Sequence, residues 1–334
     1  MDDRMKEKKK RSLILTFFWC AAVILAIVFS MRLGSSDLSL KEFFSGFMKK
    51  EGYEKISFIL WNLRFPRTLS GILAGIGLSV SGLALQNITG NDLAGPNIIG
   101  VNAGAGFFVI MGMYFFSPSI HVLPVFAFFG AFMATVVIVL IGGAVYEKRS
   151  AIILAGVAVT ALLNAGISLI SLLDTDILSA YNDFSVGGLA RSDAGELAVP
   201  AVMICVSVLV MMYYAKDIDT MMLGDEIAKS LGVNIRFVRF AVIMVASIAA
   251  GAVVSFAGLL GFVGLVVPHM SKKLFGIRTK QALPGTVLIG AAVVLFADTV
   301  GRTAFKGTEV PVGIVLAFVG VPFFLYLIFR RRTA

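Results

Sequence analysis

Residues 62–106 read NLRFPRTLSGILAGIGLSVSGLALQNITGNDLAGPNIIGVNAGAG, and this stretch decides the fold. It begins with two arginines, Arg64 and Arg67, and the following run 68–91 contains no charged side chain. At 1.5 Å per residue this run is long enough to cross a hydrocarbon core of about 30 Å. The stretch therefore predicts a membrane helix that carries arginines at one end.

Small residues recur along the same predicted helix. Gly71, Gly75 and Ser79 are spaced every four residues, so one face of the helix is nearly bare. A bare face lets a neighbouring helix approach closely. The segment 87–96 then combines Gly, Asn, Asp and Pro and leads directly into another apolar run, which predicts a tight turn.

The composition excludes an ordinary soluble domain. Hydrophobic residues make up 58% of the 334 residues and charged residues 15%, whereas soluble domains have about 45–50% and about 25%. The net charge of +9 comes from basic residues at helix ends, not from one patch, so we expect membrane lipid and no nucleic acid as a partner. Cys20 and Cys205 lie in apolar runs, where packing residues are expected.

Apolar runs and turn signals together predict an all-α, polytopic membrane protein with about ten transmembrane helices. We expect one transmembrane domain over 1–334, with a charged head at 1–11, a polar segment at 32–61 and a mixed segment at 216–235. The predicted spans are 12–31, 68–91, two within 93–146 separated near 117–124, 150–173, 197–215, two within 240–271, 281–297 and 310–329. A basic link at 146–149 separates the fourth and fifth predicted spans, and three arginines lie near the end of the chain, at 330–332.

The distribution of Lys and Arg indicates the orientation. With ten spans, the side that holds both termini carries 19 basic residues and the other side carries 10, which accounts for all 29. The positive-inside rule then predicts cytoplasmic termini. The exception is the segment between the first two spans, which has seven basic residues on the outer side.

A weak internal repeat is also present. Ala74-Gly75 and Ser81-Gly82 have the same spacing as Ala250-Gly251 and Ala257-Gly258. The two helices would run in opposite directions, as in transporters with inverted repeats. Chance similarity between two Gly/Ala-rich helices is the competing explanation.

Four separate blocks of sequence resemble the FecCD-type permeases, which are subunits of ABC importers for iron-siderophores, haem and cobalamin. The blocks cover the second to the tenth predicted span, and Asp92 departs from them because a Pro is common there. The matching residues are Arg64, Pro66, Arg67, Ser81, Gly82, Gln86, Leu93, Ala94, Pro96, Gly100, Gly104, Ala105, Gly224, Ala228, Leu231, Gly232, Gly261, Gly264, Pro268, His269, Asp298, Arg302, Glu309, Pro311, Gly313, Gly320 and Pro322.

The resemblance implies a docking role for three arginines at the outer face. In the family, residues matching Arg64, Arg67 and Arg302 receive carboxylates from an extracytoplasmic substrate-binding protein. A guanidinium suits this role because it can pair with a carboxylate through two hydrogen bonds. The alternative interpretation is ordinary anchoring of arginines at the membrane interface.

Residues 221–233 read MMLGDEIAKSLGV and predict two short helices around a glycine turn on the cytoplasmic face. Leu223, Ile227 and Leu231 share one side of this segment. The resemblance implies that it couples to an ATPase subunit, through Gly224, Ala228, Leu231 and Gly232. The alternative is a surface helix that lies on lipid headgroups.

The remaining motif residues are expected to have structural or gating roles; they are Gln86, Pro96, Gly100, Gly264, Pro268, His269, Asp298, Glu309 and Pro311. Pro268 is expected near a helix end, with His269 capping the carbonyl groups that it leaves free. We do not expect a metal site, because His121 would lie on the opposite face. Two further acidic pairs, Asp174/Asp176 and Asp217/Asp219, are expected to be solvated loop residues.

No G-x-x-x-x-G-K-[ST] motif occurs, so ATP is expected to bind to a partner subunit and this chain to need no cofactor. The sequence thus predicts a permease of an ATP-driven importer in the bacterial cell membrane, paired with a second permease copy and moving an iron-siderophore-like chelate without chemistry on it. An ion-gradient-driven secondary transporter is the alternative, although it would carry ionisable residues near the midplane. A membrane-embedded transferase ranks third.

Overall fold

The computed structural model describes residues 2–34, 38–116, 122–145, 149–190, 193–305 and 308–331, and their regular structure is entirely helical. The helices are α1 (Asp2–Arg32), α2 (Leu40–Phe47), α3 (Glu54–Phe58), α4 (Phe65–Thr89), α5 (Val101–Phe116), α6 (Leu123–Val145), α7 (Arg149–Leu173), α8 (Thr175–Val186), α9 (Ala198–Tyr213), α10 (Ala215–Met221), α11 (Asp225–Ser230), α12 (Ile235–Ala257), α13 (Val263–Phe275), α14 (Thr279–Thr303) and α15 (Val312–Arg331). A π-helical turn at Ile59–Arg64 and a 3₁₀-helix at Pro96–Ile99 complete the set.

The prediction of an all-α polytopic fold is confirmed. Each predicted span coincides with one helix in the described ranges: α1, α4, α5, α6, α7, α9, α12, α13, α14 and α15. Six of the described helices are long and apolar enough to cross a membrane alone, and a seventh span results if α9 and α10, bent by 59°, are counted together. Helix α13 has 13 residues, about 20 Å, and is too short to cross by itself.

Some predicted features lie outside the described residues. They are the break at 117–121 with His121, the basic link at 146–148, the side chains of 1–9 in the charged head and the last arginine, Arg332.

The predicted polar segment 32–61 is more ordered than expected. It contains α2, which begins with a reciprocal capping box between Ser39 and Glu42, and α3, which continues through the π-helical turn into α4. The second span therefore begins at Glu54 as part of one 36-residue helix, so a start near residue 68 was wrong. Pro66 explains the π-helical turn, because it has no N–H to bond residue 62 and its ring displaces that carbonyl group.

Helix α4 is the centre of the bundle. In its most apolar 18-residue window 83% of the residues are buried, whereas none are buried in the corresponding window of α1. Helices α12, α13 and α14 pack around α4, and α1 packs on the outside of α14. The helix with the predicted bare face of Gly71, Gly75 and Ser79 is thus the one that the others surround.

The bare face of α4 packs against α14, as the spacing of small residues predicts. A Cβ atom at Gly75 would collide with the backbone of Gly290, so the two helices touch through their main chains. One turn further on, the Ser79 hydroxyl donates to the carbonyl oxygen of Thr286 at 3.1 Å. This contact requires small residues on both helices.

The inverted repeat stays a prediction. Helices α4 and α12 pack against each other, but their matching glycines have different surroundings. Gly75 meets the backbone of α14, whereas Gly251 faces the side chains of Phe128 and Ala131 on α6.

Gly75→Ala is expected to lower the melting temperature of the purified protein in detergent, because backbone atoms cannot move aside as a side chain can. Overpacking of this kind costs about 1–3 kcal/mol. Gly95→Ala is the matched control, since a Cβ atom at Gly95 has open space and the residue has an ordinary extended backbone. Equal melting temperatures for the two variants would contradict the close approach of α4 and α14.

Candidate functional site

The first candidate site is the arginine cluster, formed by Arg64, Arg67, Arg302, Asp298 and Glu309. Asp298 of α14 lies at its centre and is 2% exposed. Arg67 donates to both carboxylate oxygens of Asp298 at 2.9–3.1 Å, and Arg302 Nε lies 3.1 Å from the same carboxylate. Arg67 Nη1 also donates to Glu309 at 2.7 Å.

The arginine cluster also caps the C-terminus of α1. Arg64 donates to the carbonyl oxygens of Met31, at 2.9 Å, and of Arg32. Arg302 donates to the carbonyl oxygen and the hydroxyl group of Ser30 at 3.1 and 3.0 Å. The final carbonyl groups of a helix lack partners in the helix and carry partial negative charge, so cations are stabilised there.

The structure thus brings the three predicted docking arginines together, but it does not leave them equally accessible. Arg64 and Arg302 are each only 5% exposed. Arg67 is also largely buried, with 13% of its side chain exposed, whereas 37% of the Glu309 side chain is exposed. These side chains therefore pair inside the protein before any partner is present, and their docking role and location at the membrane interface stay predictions.

The second candidate site is the coupling segment, formed by α10, α11 and the glycine turn between them. Gly224 has φ +121° at the turn and Gly232, with φ +85°, follows α11. These backbone angles favour glycine. The predicted order of short helix, glycine turn and short helix is correct, although the first helix ends at Met221 instead of beginning there.

One edge of the coupling segment is apolar and exposed. Leu223 and Leu231 are each 65% exposed and Ile227 is 49% exposed. Ala228, on the other side of α11, is completely buried. Ala228 therefore anchors α11 to the bundle, while the other three side chains are available for a partner.

Two carboxylates fasten the coupling segment to the bundle. Asp225 pairs with Arg239 of α12 at 2.6 Å, and Asp219 accepts a hydrogen bond from the backbone N–H of Thr279 at the start of α14, also at 2.6 Å. The expectation that Asp219 is a solvated loop residue was wrong. Asp174 lies between α7 and α8, as predicted for a loop residue, and its half-buried side chain caps the N-terminus of α8.

The arginine cluster and the coupling segment lie at opposite ends of the bundle. On α4, Arg67 belongs to the first and Asn87, twenty residues later, bonds Thr279 beside the second. On α14, Thr279 and Asp298 are similarly separated. Twenty helical residues span about 30 Å, which is the thickness of a hydrocarbon core.

A third group of motif residues forms a joint between α4 and α13. The Gln86 side chain donates to the carbonyl oxygen of Leu265 at 3.1 Å. A Cβ atom at Gly264 would approach the ring of Pro96 to 2.9 Å, so α13 begins directly against the 3₁₀-helix. Gly100 then ends that helix with φ +71°. These four residues have a packing role, and a gating role stays a prediction.

The other motif prolines and His269 lie near helix starts or within helices. Pro268 is the sixth residue of α13, so its predicted location near a helix end was wrong. His269 is half-buried on the same helix. Pro311 directly precedes α15, and its carbonyl oxygen accepts a hydrogen bond from Ile314. Within the described ranges, no three His, Cys, Asp or Glu side chains are grouped so that they could hold a metal ion.

The fold and these two sites define a polytopic α-helical transport protein of the membrane. The chain belongs to the FecCD transport family, whose model matches residues 22–330. It is a multi-pass permease subunit of the ABC importer type.

Three relatives illustrate the similarity. The chain is 32% identical to the Fe(3+)-citrate import system permease protein YfmE of Bacillus subtilis, with 96% of each chain covered. It is 32% identical to the hemin transport system permease protein HmuU of Yersinia pestis, with 98% of each covered. The ferric enterobactin transport system permease protein FepD of Escherichia coli is 31% identical, with 93% of each covered.

A solved structure also matches. It is a metal-chelate type ABC transporter in an inward-facing conformation, with a TM-score of 0.84 and 27% sequence identity. The match covers 94% of this chain and 98% of the other. The architecture of α1–α15 is therefore that of a known transporter chain.

Asp298→Asn is expected to destabilise the protein strongly, because it leaves two buried arginines without their shared counter-charge. Removing one partner of a buried ion pair costs about 3–5 kcal/mol. Glu309→Gln is the control, because that carboxylate is partly exposed and such pairs contribute about 0–1 kcal/mol. Thermal unfolding in detergent measures both, and equal losses would argue against Asp298 as the centre of the cluster.

Proposed function

We propose that this chain forms the translocation path for a ferric iron–siderophore chelate, driven by an ATPase subunit at one end and loaded by a substrate-binding protein at the other. One observation carries the proposal. The coupling segment exposes an apolar edge at one end of the bundle, and the arginine cluster lies at the opposite end. The cargo class is supported by the relatives, whose names specify Fe(3+)-citrate, hemin and ferric enterobactin.

The coupling segment is the proposed contact for the ATPase. Leu223, Ile227 and Leu231 form an exposed apolar edge that suits a groove on another protein. The alternative partner is the layer of lipid headgroups. A helix that lies on lipid headgroups is typically longer and has basic residues along its polar face, whereas α11 has six residues. ATP would bind only to the partner, and this chain would hold no cofactor.

The proposed orientation has both termini in the cytoplasm. The coupling segment would then face the cytoplasm and the arginine cluster the outside. This agrees with the excess of basic residues on the side of the termini. Seven basic residues between the first two predicted spans depart from the positive-inside rule. Two of them, Arg64 and Arg67, are largely buried and paired within the protein.

For docking of the binding protein, we single out Arg67. Its partner Glu309 is partly exposed, whereas the groups around Arg64 and Arg302 are buried. A carboxylate of the binding protein would replace Glu309 on Arg67 without disturbing Asp298. Arg64 and Arg302 would hold the ends of α1, α4 and α14 in position beneath it.

We further propose that two permease copies enclose the path and that closure around ATP shifts the pair between inward- and outward-open states. The secondary-transporter alternative is less well supported. Among the described residues, the buried charged side chains are Arg64, Asp298 and Arg302, all in the arginine cluster. An ion relay would need ionisable groups deeper in the bundle.

Ile227→Asp is expected to abolish ATP-dependent uptake, because a charge on the apolar edge opposes burial in the ATPase groove. Uptake would be measured in vesicles that contain the permease with its ATPase and binding protein, using ferric siderophores, hemin and ferric citrate as cargo. Lys229→Gln is the control, since it changes the charge by the same amount on the opposite side of α11. Equal uptake by both variants would contradict the coupling role, and a preference for hemin or ferric citrate would contradict the siderophore assignment.

Arg67→Lys and Glu309→Gln are expected to affect docking in opposite directions. The first variant loses the forked guanidinium and should bind the substrate-binding protein several-fold more weakly, whereas the second removes the competing carboxylate and should bind more tightly. Surface plasmon resonance on the reconstituted permease measures both. Lys55→Glu on α3 tests general surface charge and should have a smaller effect. Weaker binding by both Arg67→Lys and Glu309→Gln would indicate damage to the fold. It would overturn the proposal that a carboxylate of the binding protein replaces Glu309 on Arg67.

A further inference from the structure

Helix α14 begins without a capping side chain of its own. Arg278 occupies the N-cap position, and its side chain makes no capping hydrogen bond. The cap comes from another element, because the carboxylate of Asp219 on α10 accepts the hydrogen bond from Thr279 N–H at 2.6 Å. A carboxylate in this position satisfies a backbone donor that has no partner in the helix and lies at the positive end of the helix dipole.

The same residue of α14 also holds α4. Thr279 Oγ1 accepts a hydrogen bond from Asn87 Nδ2 at 2.9 Å, and both side chains are buried. Asp219, Thr279 and Asn87 therefore connect α10, α14 and α4 in one short chain of hydrogen bonds. Of these, α4 and α14 are the two helices whose backbones touch at Gly75 and Gly290.

Helix α10 connects Asp219 with the exposed edge of the coupling segment. Ile218 and Met221, on either side of Asp219 in sequence, are completely buried. Leu223, four residues after Asp219, is already part of the exposed edge. A displacement of that edge would therefore move the cap of α14 with it. A local Ser or Asp at position 278 would cap the helix independently of α10, and the chain has Arg there instead.

We propose that Asp219 is a positioning residue for transport: it transmits movement of the coupling segment to α14 and, through Thr279, to α4. The inference rests on the proposed function, because it needs an ATPase at the coupling segment. It adds a residue that the sequence motifs leave out.

The test compares Asp219→Ala with Asp217→Ala in the full complex of permease, ATPase and binding protein. Both variants remove one negative charge from α10, and the Asp217 side chain makes no hydrogen bond to the part of the chain that the structure describes. We expect Asp219→Ala to raise the ATP hydrolysed per cargo molecule transported about fivefold or more, with assembly retained, because coupling between sites is typically of this size or larger. Asp217→Ala should leave this ratio unchanged.

Asp219→Asn should restore the original ratio, because its amide oxygen can accept the same hydrogen bond and Asn caps helices as well as Asp does. A loss of helix stability alone would lower transport and ATP hydrolysis together and leave their ratio unchanged. Equal ratios for Asp219→Ala and Asp217→Ala, or failure of Asn to restore the ratio, would overturn the inference.

A second arm covers the case in which Asp219→Ala does not assemble. Thr279→Val keeps the N–H that Asp219 caps and removes only the hydroxyl that Asn87 bonds, so it should raise the ratio partially. Combined with Asp219→Asn it should raise the ratio no further, since Asn leaves the cap intact. No change in Thr279→Val would overturn the link to α4. If even the unaltered complex shows no ATP-dependent uptake, the proposed function fails instead, and this outcome is separate from the ratios.

Discussion

The close contact between α4 and α14 is the constraint on which the rest of the structure depends. The backbones meet at Gly75 and Gly290, and Ser79 adds a hydrogen bond across the same face. In a membrane, helices gain little from hiding apolar side chains, so close packing and hydrogen bonds must hold them together. Because the pair is fixed along its middle, each end of α4 is fixed beside one end of α14. The arginine cluster and the Asp219–Thr279–Asn87 connection both form across this pair.

The sequence was sufficient to predict the helices but not the partners of their polar side chains. The uncharged run after Arg67 and the spacing of Gly71, Gly75 and Ser79 predicted both the central helix and its bare face. The π-helical turn could have been suspected from Pro66, but no local pattern predicted that the helix would run continuously from Glu54, with α2 packed against its first turns. Local patterns report periodicity along one helix, and they carry no information on which distant residue meets it.

The candidate sites show the same limit. Arg67 and Asp298 are 231 residues apart in sequence, and their pairing follows only once α4 and α14 are adjacent. The resemblance identified both residues without showing that they neutralise each other. For Asp219, the only local signal was the lack of a capping residue before Thr279, because Arg278 cannot serve as an N-cap acceptor. Several other helices here also start without a side-chain cap, so this signal did not by itself point to Asp219.

The distribution of charge also explains how such a protein can be driven from its ends. Buried charged side chains within the described residues are confined to the arginine cluster, and the middle of α4 and α14 carries no charged side chain. Under the proposed function, an apolar middle exchanges no protons or ions, and the ATPase would impose movement there mechanically. Polar contacts at the helix ends are suited to impose it, because hydrogen bonds are directional and are costly to leave unmade when buried. A rigid, closely packed pair would then carry a displacement of one end to the other over about 30 Å, as the proposed role of Asp219 requires.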